Sequence, residues 1–398
     1  MMARNSIHRK AILACLLLTG LSVCSWAQET RGFKFNNLTV SPFVNLEYMY
    51  DSNVNLTKSA TEDSIIRVNP GVDLSYQGNE WGLSVNAWYA YDWYKDLDDM
   101  NADRFGESIN VYRESAKGWR LVLGQKYMET SQDDSIIDGG NGLWRDRNEF
   151  SLNGALSYEF SEKTSMTLNA MYSELEYAND TEEFGALYGW QEWSTGVEVA
   201  RKISEKTDLL VSGSYQEYTS DGAVGMDDSS TGYTLHVGLG SRATERIRYH
   251  VLTGASWFDY AGADQLVGWT YSVDASWVIT KKLAATLAGS SYFQPSEQTQ
   301  NQAMQVYAIS TGLTYKPLRK LSTRLDIAYR REDGESVGDD VAFDAVTDDR
   351  YSVRVRADYE LQRYVSIYGG LEYEEVMSDA NMNEYDRYLF LLGLNFRY

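Results

Sequence analysis

The chain has 398 residues with 57 acidic against 36 basic side chains, a formal charge of −21, and that excess of negative charge excludes nucleic acid as a partner. Beyond the N-terminal segment no run reaches the roughly 18 consecutive apolar residues of a membrane helix, so any membrane crossing has to be made by a closed set of strands. Aromatics are 13% of the residues, with 30 Tyr and 11 Trp but only 4 Pro; this composition excludes a disordered chain and suits strands and membrane interfaces.

At the N-terminus Arg4, Arg9 and Lys10 precede the apolar run AILACLLLTGLSV, which ends at Ser25-Trp26-Ala27. This is the pattern of a secretory signal peptide over residues 1–27. Its removal takes the three cations and no acid, so the charge falls from −21 to −24. Cys15 and Cys24 leave with it, so the mature chain has neither a disulfide framework nor a thiolate metal site. Lipidation at Cys24 is disfavoured by Val23, where a small residue is usual. Residues 28–37 are expected to be a short periplasmic segment, and 38–398 a single domain.

From Leu38 to Tyr398 apolar and polar residues alternate with period two, and the interruptions are themselves alternately short and long. Short breaks fall near residues 77–80, 115–118, 161–164, 204–206, 242–245, 280–282, 316–320 and 361–363. Long ones fall near 51–63, 95–103, 129–146, 178–189, 220–229, 261–267, 294–302, 332–347 and 374–385. Eight turns and nine loops predict an all-β fold. It is a transmembrane antiparallel up-and-down barrel of about 18 strands, each of about 9–11 residues, with both termini periplasmic. A soluble sandwich also alternates, but its connections do not sort so regularly.

The first predicted hairpin carries Tyr50-Asp51-Ser52-Asn53-Val54, then Asp63-Ser64-Ile65 and, five residues on, Pro70. Asp51 and Asn53 stand where a strand runs into its loop, and both side chains can bond their own backbone there. Pro70 lies inside the second strand, where a missing donor is tolerated at an edge or a bulge. Over these strands the sequence resembles the putative β-barrel porin 2 family. That resemblance implies an outer-membrane barrel, and a role in moving exopolysaccharide across the membrane together with other export components.

Further along, Trp81, Leu83, Val85, Ala87, Tyr89, Tyr91 and Trp93 share one face and should meet lipid. Phe150, Leu152, Leu156, Tyr158 and Phe160 form a second such set, and Trp269, Tyr271, Val273, Ala275, Trp277 and Ile279 a third. Trp88, Tyr94 and Tyr112 stand on the opposite, polar faces and are candidates to stack on sugar rings, although a slip of one residue would turn them outward. The loop at 129–146, with Gly139, Gly140 and Gly142, is the expected inward-folding constriction.

His236 and His250, the histidines left after His8 departs, flank the turn at 242–245 on one face. They are expected to be cross-strand neighbours in the lumen, and a metal there lacks an evident third ligand. With so little catalytic equipment no enzyme activity, cofactor or metal centre is expected. In the last four strands Arg324, Asp326 and Arg330, then Arg354, Arg356 and Asp358, then Glu372 and Arg387, alternate with apolar residues. They form a charged wall of the pore. Either it steers anionic solutes, or opposite charges such as Asp326 and Arg354 brace neighbouring strands.

Acids are expected to cluster in the long connections, as Asp96, Asp98, Asp99 and Asp103, then Asp133, Asp134 and Asp138, then Asp339, Asp340, Asp344, Asp348 and Asp349. They keep the outer surface solvated or hold divalent cations shared with lipopolysaccharide. The final strand alternates to an aromatic end, and Gly393, Phe396 and Tyr398 resemble the insertion signal read by the barrel-assembly machinery, with Leu391 standing where that signal prefers a polar residue. The expected partners are therefore that machinery, outer-membrane lipid and lipopolysaccharide in a Gram-negative-type cell. No plug precedes the strands, which speaks against a TonB-dependent transporter. Two functions remain: a porin-like channel for polar solutes or exopolysaccharide, and a structural or adhesive barrel with acidic loops and a closed lumen.

Overall fold

The computed structural model describes residues 32–116, 118–130, 146–177, 189–220, 229–260, 265–295, 302–336, 347–379 and 384–398. The expected signal peptide, and the interior of the loop at 129–146, lie outside the described residues. A three-residue strand β1 (Phe33–Phe35) falls within the segment expected to be periplasmic. The strands that follow are β2 (Leu38–Asp51), β3 (Asp63–Gln77), β4 (Trp81–Tyr94), β5 (Ala102–Glu114), β6 (Trp119–Thr130) and β7 (Arg147–Ser161). Next come β8 (Thr164–Tyr177), β9 (Trp190–Lys202), β10 (Thr207–Ser220), β11 (Ser229–Ser241), β12 (Ile247–Tyr260) and β13 (Leu266–Thr280). The last six are β14 (Leu283–Pro295), β15 (Gln302–Leu318), β16 (Leu321–Ser336), β17 (Thr347–Gln362), β18 (Val365–Ser378) and β19 (Tyr385–Arg397).

Each strand from β2 to β19 pairs antiparallel with the next, and β19 returns to pair with β2 from Phe43↔Arg397 to Asp51↔Leu389. The result is a closed barrel of 18 strands, with both termini at the end that carries the short turns. Strand count and the sorting of connections agree with the sequence pattern. The strands are longer than expected, from 12 residues in β6 to 17 in β15. The excess lies mostly at the loop end: Glu332–Ser336 and Glu374–Ser378 continue β16 and β18 instead of opening loops, and Asp103, Asp348 and Asp349, expected in loops, lie in β5 and β17. Their polarity suits a wall that rises past the hydrocarbon, roughly 30 Å thick, into water.

The alternating faces point as the pattern requires. Trp81, Tyr89 and Trp93 are exposed outward, whereas Ala90, Asp92 and Tyr94, at the alternate positions, are buried on the lumen side. Leu156, Tyr158 and Phe160, Trp269 and Trp277, and the terminal Tyr388, Phe390, Leu392, Phe396 and Tyr398 also face out. Ring pairs band the outside near the loop end, among them Tyr172–Trp193 at 4.5 Å, Tyr215–Tyr233 at 5.1 Å, Tyr329–Tyr351 at 4.9 Å and Tyr373–Tyr388 at 4.8 Å. A second band at the turn end includes Tyr76–Trp81 at 4.3 Å and Tyr364–Tyr398 at 5.0 Å. Such paired girdles mark the two interfaces of a membrane.

Closure is reinforced at both ends of the β19–β2 seam. At the loop end Arg387 donates to both oxygens of fully buried Asp51, at 2.5 Å and 3.0 Å. At the turn end the Tyr398 N–H donates to the Pro42 carbonyl at 3.1 Å, and there β19 stops. Strand β1 takes over its place along β2, pairing Phe33↔Val40 to Phe35↔Leu38, with the Phe33 ring 4.4 Å from that of Tyr398. The stub thus covers the part of β2 that the last strand is too short to reach.

Pro70 sits neither at an edge nor at a bulge. Strand β3 is flanked on both sides; the β3–β4 pairing lapses at Asn69 and Pro70 and resumes at Gly71↔Trp88 in the same register as Val68↔Tyr91. One missing donor is absorbed by a continuous wall on either side of it.

Breaking the seam ion pair leaves a charge buried without its partner, so Arg387→Leu should lower unfolding stability by about 3–5 kcal/mol. Urea unfolding in micelles measures this, and Asp51→Asn combined with Arg387→Leu should recover part of the loss.

Candidate functional site

The functional site of a barrel is its lumen, and the pleat decides which side chains reach it. All eight charged candidates of the last strands lie on the inward face, at even positions in β16, β17 and β18 and odd positions in β19. None of their arginines stands as a bare cation. Arg324 donates to Asp326 at 2.7 Å and 2.9 Å, Arg330 meets Glu332 at 2.5 Å, and Arg356 meets Asp358 at 3.1 Å. Across strands, Arg354 grips Glu372 with two bonds of 2.8 Å and 3.1 Å. Asp326 and Arg354 are register partners, as a β16–β17 hairpin demands. Arg356 also lies over the Tyr368 ring at 4.3 Å.

This wall continues well past the seam, which the sequence reading did not foresee. Arg350 lies between Glu332 at 3.4 Å and Asp348 at 3.5 Å, and Tyr385 donates to Glu374 at 2.6 Å. Beyond β2, Arg67 holds Asp92 with bonds of 2.6 Å and 2.7 Å and reaches Glu47 at 3.7 Å. Arg104 lies 4.0 Å from Asp92. The signal was present as single charges between apolar neighbours, Ile66-Arg67-Val68 and Tyr91-Asp92-Trp93. Running through β16–β19 and β2–β5, the lumen is therefore lined by alternating cations and carboxylates that satisfy one another.

The opposite wall is built mostly of small hydroxyls. Thr234 and Ser256 are 2.7 Å apart, Ser256 and Thr270 3.0 Å, and His236 Nε2 meets Thr270 Oγ1 at 2.8 Å. The two histidines face the lumen without opposing each other: His236 is paired with Gly254 and His250 with Gly240. His250 has the carboxylate partners that sequence inspection missed, Glu198 at 3.4 Å and the register neighbour Asp274. Among the described residues no cluster of three or more His, Cys, Asp or Glu is placed to hold a metal ion.

The sugar-stacking candidates divide. Tyr94 is buried with Met49, Val54 and Ile65 in a small apolar core at the loop end, where its ring has no free face. Trp88 and Tyr112 lie flat on the lumen wall over glycines of the adjacent strand. A Cβ at Gly106 would come within 2.5 Å of Trp88, and one at Gly82 within 2.3 Å of Tyr112. The same device explains Gly393, where a Cβ would lie 2.4 Å from the Tyr368 ring. Each ring thereby shields a bare stretch of backbone; Tyr112 stays exposed on the lumen side, Arg104 lies 6.0 Å over Trp88, and Tyr368 is buried beneath Arg356.

The loop motif of the first hairpin is structural in its geometry. The Asn53 N–H donates to Asp51 at 3.0 Å, and its side chain donates to the carbonyls of Thr57 at 2.8 Å and Asp386 at 2.9 Å. Tyr50, facing outward, bonds Glu62. These contacts fold the first loop against the rim and set Val54 into the apolar core.

A second inward element was not foreseen. Strand β14 leaves β13 after Ser291↔Tyr271 while staying paired with β15 as far as Pro295↔Ala303. Its tip leans over the lumen face of β12 and β13: Phe293 stacks on Phe258 at 6.0 Å, and Gln216 of β10 donates to its carbonyl at 3.4 Å. Gln305 donates to the Trp269 carbonyl at 3.2 Å, covering an acceptor that β14 vacates. Tyr292 then faces the lumen, within electrostatic reach of Arg330, Glu332 and, from β9, Glu192.

Gly106→Val should drive Trp88 off the wall and lower thermal stability by about 1–3 kcal/mol. In a Trp88→Ala background the same change should cost little, a coupling measurable by a double-mutant unfolding cycle.

A family model described as putative beta-barrel porin 2 matches residues 27–398. No curated protein matches the chain. Among solved structures it is similar to OpdK from Pseudomonas aeruginosa, with 10% identity, 90% of this chain and 99% of that one covered, and a TM-score of 0.47. OprD of the same organism has 13% identity, coverage of 93% and 97%, and a TM-score of 0.44. The siderophore receptor PirA from Acinetobacter baumannii has 8% identity, coverage of 90% and 80%, and a TM-score of 0.47.

Proposed function

We propose, from the premise that the chain belongs to the putative beta-barrel porin 2 family, that it is an outer-membrane channel through which polar solutes diffuse. The observation that carries this reading is the character of the lumen: a wide ring of 18 strands lined by ion pairs, hydroxyls and flat aromatic faces. Such a lining wets readily.

The mutual pairing of the arginines changes the selectivity to be expected. Each candidate guanidinium already has a carboxylate, so the wall acts first as a brace and presents little net positive field. With a formal charge of −21 on the chain and acids at the loop end, neutral and cationic solutes should enter more readily than anions. The chain reaches its membrane by the signal peptide at residues 1–27 and by the C-terminal signal at Gly393, Phe396 and Tyr398, read by the barrel-assembly machinery of a Gram-negative-type cell. Neutral stretches of exopolysaccharide, sliding over Trp88 and Tyr112, are one class of solute this lumen suits.

The rival function, a sealed adhesive barrel, draws its support from the two inward elements at the loop end, the Val54 core and the β14 tip. Conductance separates the two. Purified protein in planar bilayers should give stable, weakly cation-selective channels, and Arg354→Ser with Arg356→Ser should strengthen the cation preference. Loosening the tip with Phe293→Gly and Gln216→Ala should raise single-channel conductance. A barrel that never conducts, even with the tip loosened, would establish the sealed alternative.

A further inference from the structure

Among the described residues, the outward face of the barrel between its girdles carries a charged side chain at one place; the outward hydroxyls of Thr195, Thr253 and Thr311 bond neighbouring carbonyls. Glu107 on β5 points to the lipid side, the face it shares with Phe105 and Ile109, and accepts a hydrogen bond of 3.1 Å from Gln125 of β6. On β5, Phe105 and Asp103 separate it from the loop end, and Ile109, Val111 and Arg113 from the turn end; its register partner on β6 is Tyr127, so it sits one step inside the loop-end girdle to which the Phe105–Tyr127 ring pair belongs. Its register partner on β4 is Ala87, midway along the outward set that runs from Trp81 to Trp93. Other charged side chains on this face stand at strand ends, as Glu129 beyond Tyr127, Glu174 beyond Tyr172 and Glu217 beyond Tyr215.

A carboxylate and a carboxamide in hydrocarbon are costly, and side chains of this kind within a membrane pair with something. One bond between them leaves the second carboxylate oxygen, the second amide proton and the amide oxygen without a mutual partner. Small residues flank the pair: Ala87 lies beside Glu107, and Gly154 with its register partner Ala170 lies diagonally from Gln125, next to Leu152, which is the register partner of Gln125. A Cβ at Gly154 would meet only Leu123, at 3.5 Å, so the outer surface is open there.

We propose that this patch is where two copies of the chain associate within the membrane. Donor and acceptor lie side by side, so the patch is complementary to itself: across a two-fold axis, Gln125 of each copy donates to Glu107 of the other. The small flanking residues let the two walls approach closely enough for those bonds. Any other occupant would have to bring its own donors into the hydrocarbon; a second copy brings the matching pair by symmetry.

Cysteine placement tests this on the full chain refolded into lipid nanodiscs and in native membranes. Gln125→Cys should cross-link to its counterpart in a second copy, whereas Ala285→Cys, outward on the far wall, should not. Glu107→Leu with Gln125→Leu should convert the dimer measured by native mass spectrometry to monomer while raising the thermal midpoint, because a misplaced polar pair has been removed from lipid. Ala87→Trp, which leaves the pair intact but blocks close approach, should also give monomer. A wild-type protein that is monomeric in both settings, or a Leu–Leu variant that stays dimeric, overturns the proposal.

Discussion

A chain that crosses hydrocarbon must pair every backbone donor and acceptor within itself, and the rest of this structure follows from that demand. A sheet satisfies it only by closing, so the decisive contact is the one between the first and last barrel strands. Here it runs from Phe43↔Arg397 to Asp51↔Leu389. The Asp51–Arg387 pair stands at its loop end, and the short strand β1 extends the line of β19 past Tyr398 at the other. Tyr50 and Asp51 of the first loop motif stand opposite Phe390 and Leu389 across this seam, and lower down Gly393 and Phe396 stand opposite Glu47 and Val44.

Closure also explains the lumen. A barrel of 18 strands is too wide for side chains to meet across its centre, so inward polar groups must find partners along the wall. Arg354 with Glu372 and Arg67 with Asp92 do so between neighbouring strands; Arg324 with Asp326 and Arg356 with Asp358 do so along one strand. The same economy of space lays Trp88, Tyr112 and Tyr368 over glycines, so that aromatic bulk stays out of the passage. An arginine-rich wall of this kind is first a structural lattice, and its electrostatic effect is what remains after the carboxylates are counted.

Most of the fold was legible in the sequence because strand periodicity and connection length are both local. The apolar alternation of Trp81–Trp93 and of Tyr388–Tyr398 reports which face meets lipid, and the eight short turns report the strand count. The site was legible only in part. Alternation identified Arg324, Arg354 and Glu372 as lumen residues, but partner choice depends on register and side-chain reach, which single strands do not encode. The inward lean of β14 is a tertiary event: Phe293 finds Phe258 and Gly268, far away in the chain, and nothing in the run Tyr292-Phe293-Gln294-Pro295 announces it. His250 with Glu198 was missed for the same reason, since the two lie three strands apart around the wall.

The seam offers the most direct test of the whole account. Asn45 and Asn395 are register partners whose side chains bond each other on the lumen side, and the chain's own cysteines, Cys15 and Cys24, both lie in the segment expected to be removed. In the membrane-inserted protein, Asn45→Cys with Asn395→Cys should form an intramolecular disulfide in high yield, while Asn45→Cys with Arg397→Cys, one inward position off register, should form little. Equal cross-linking of the two pairs, or none in either, would contradict a barrel closed between β2 and β19.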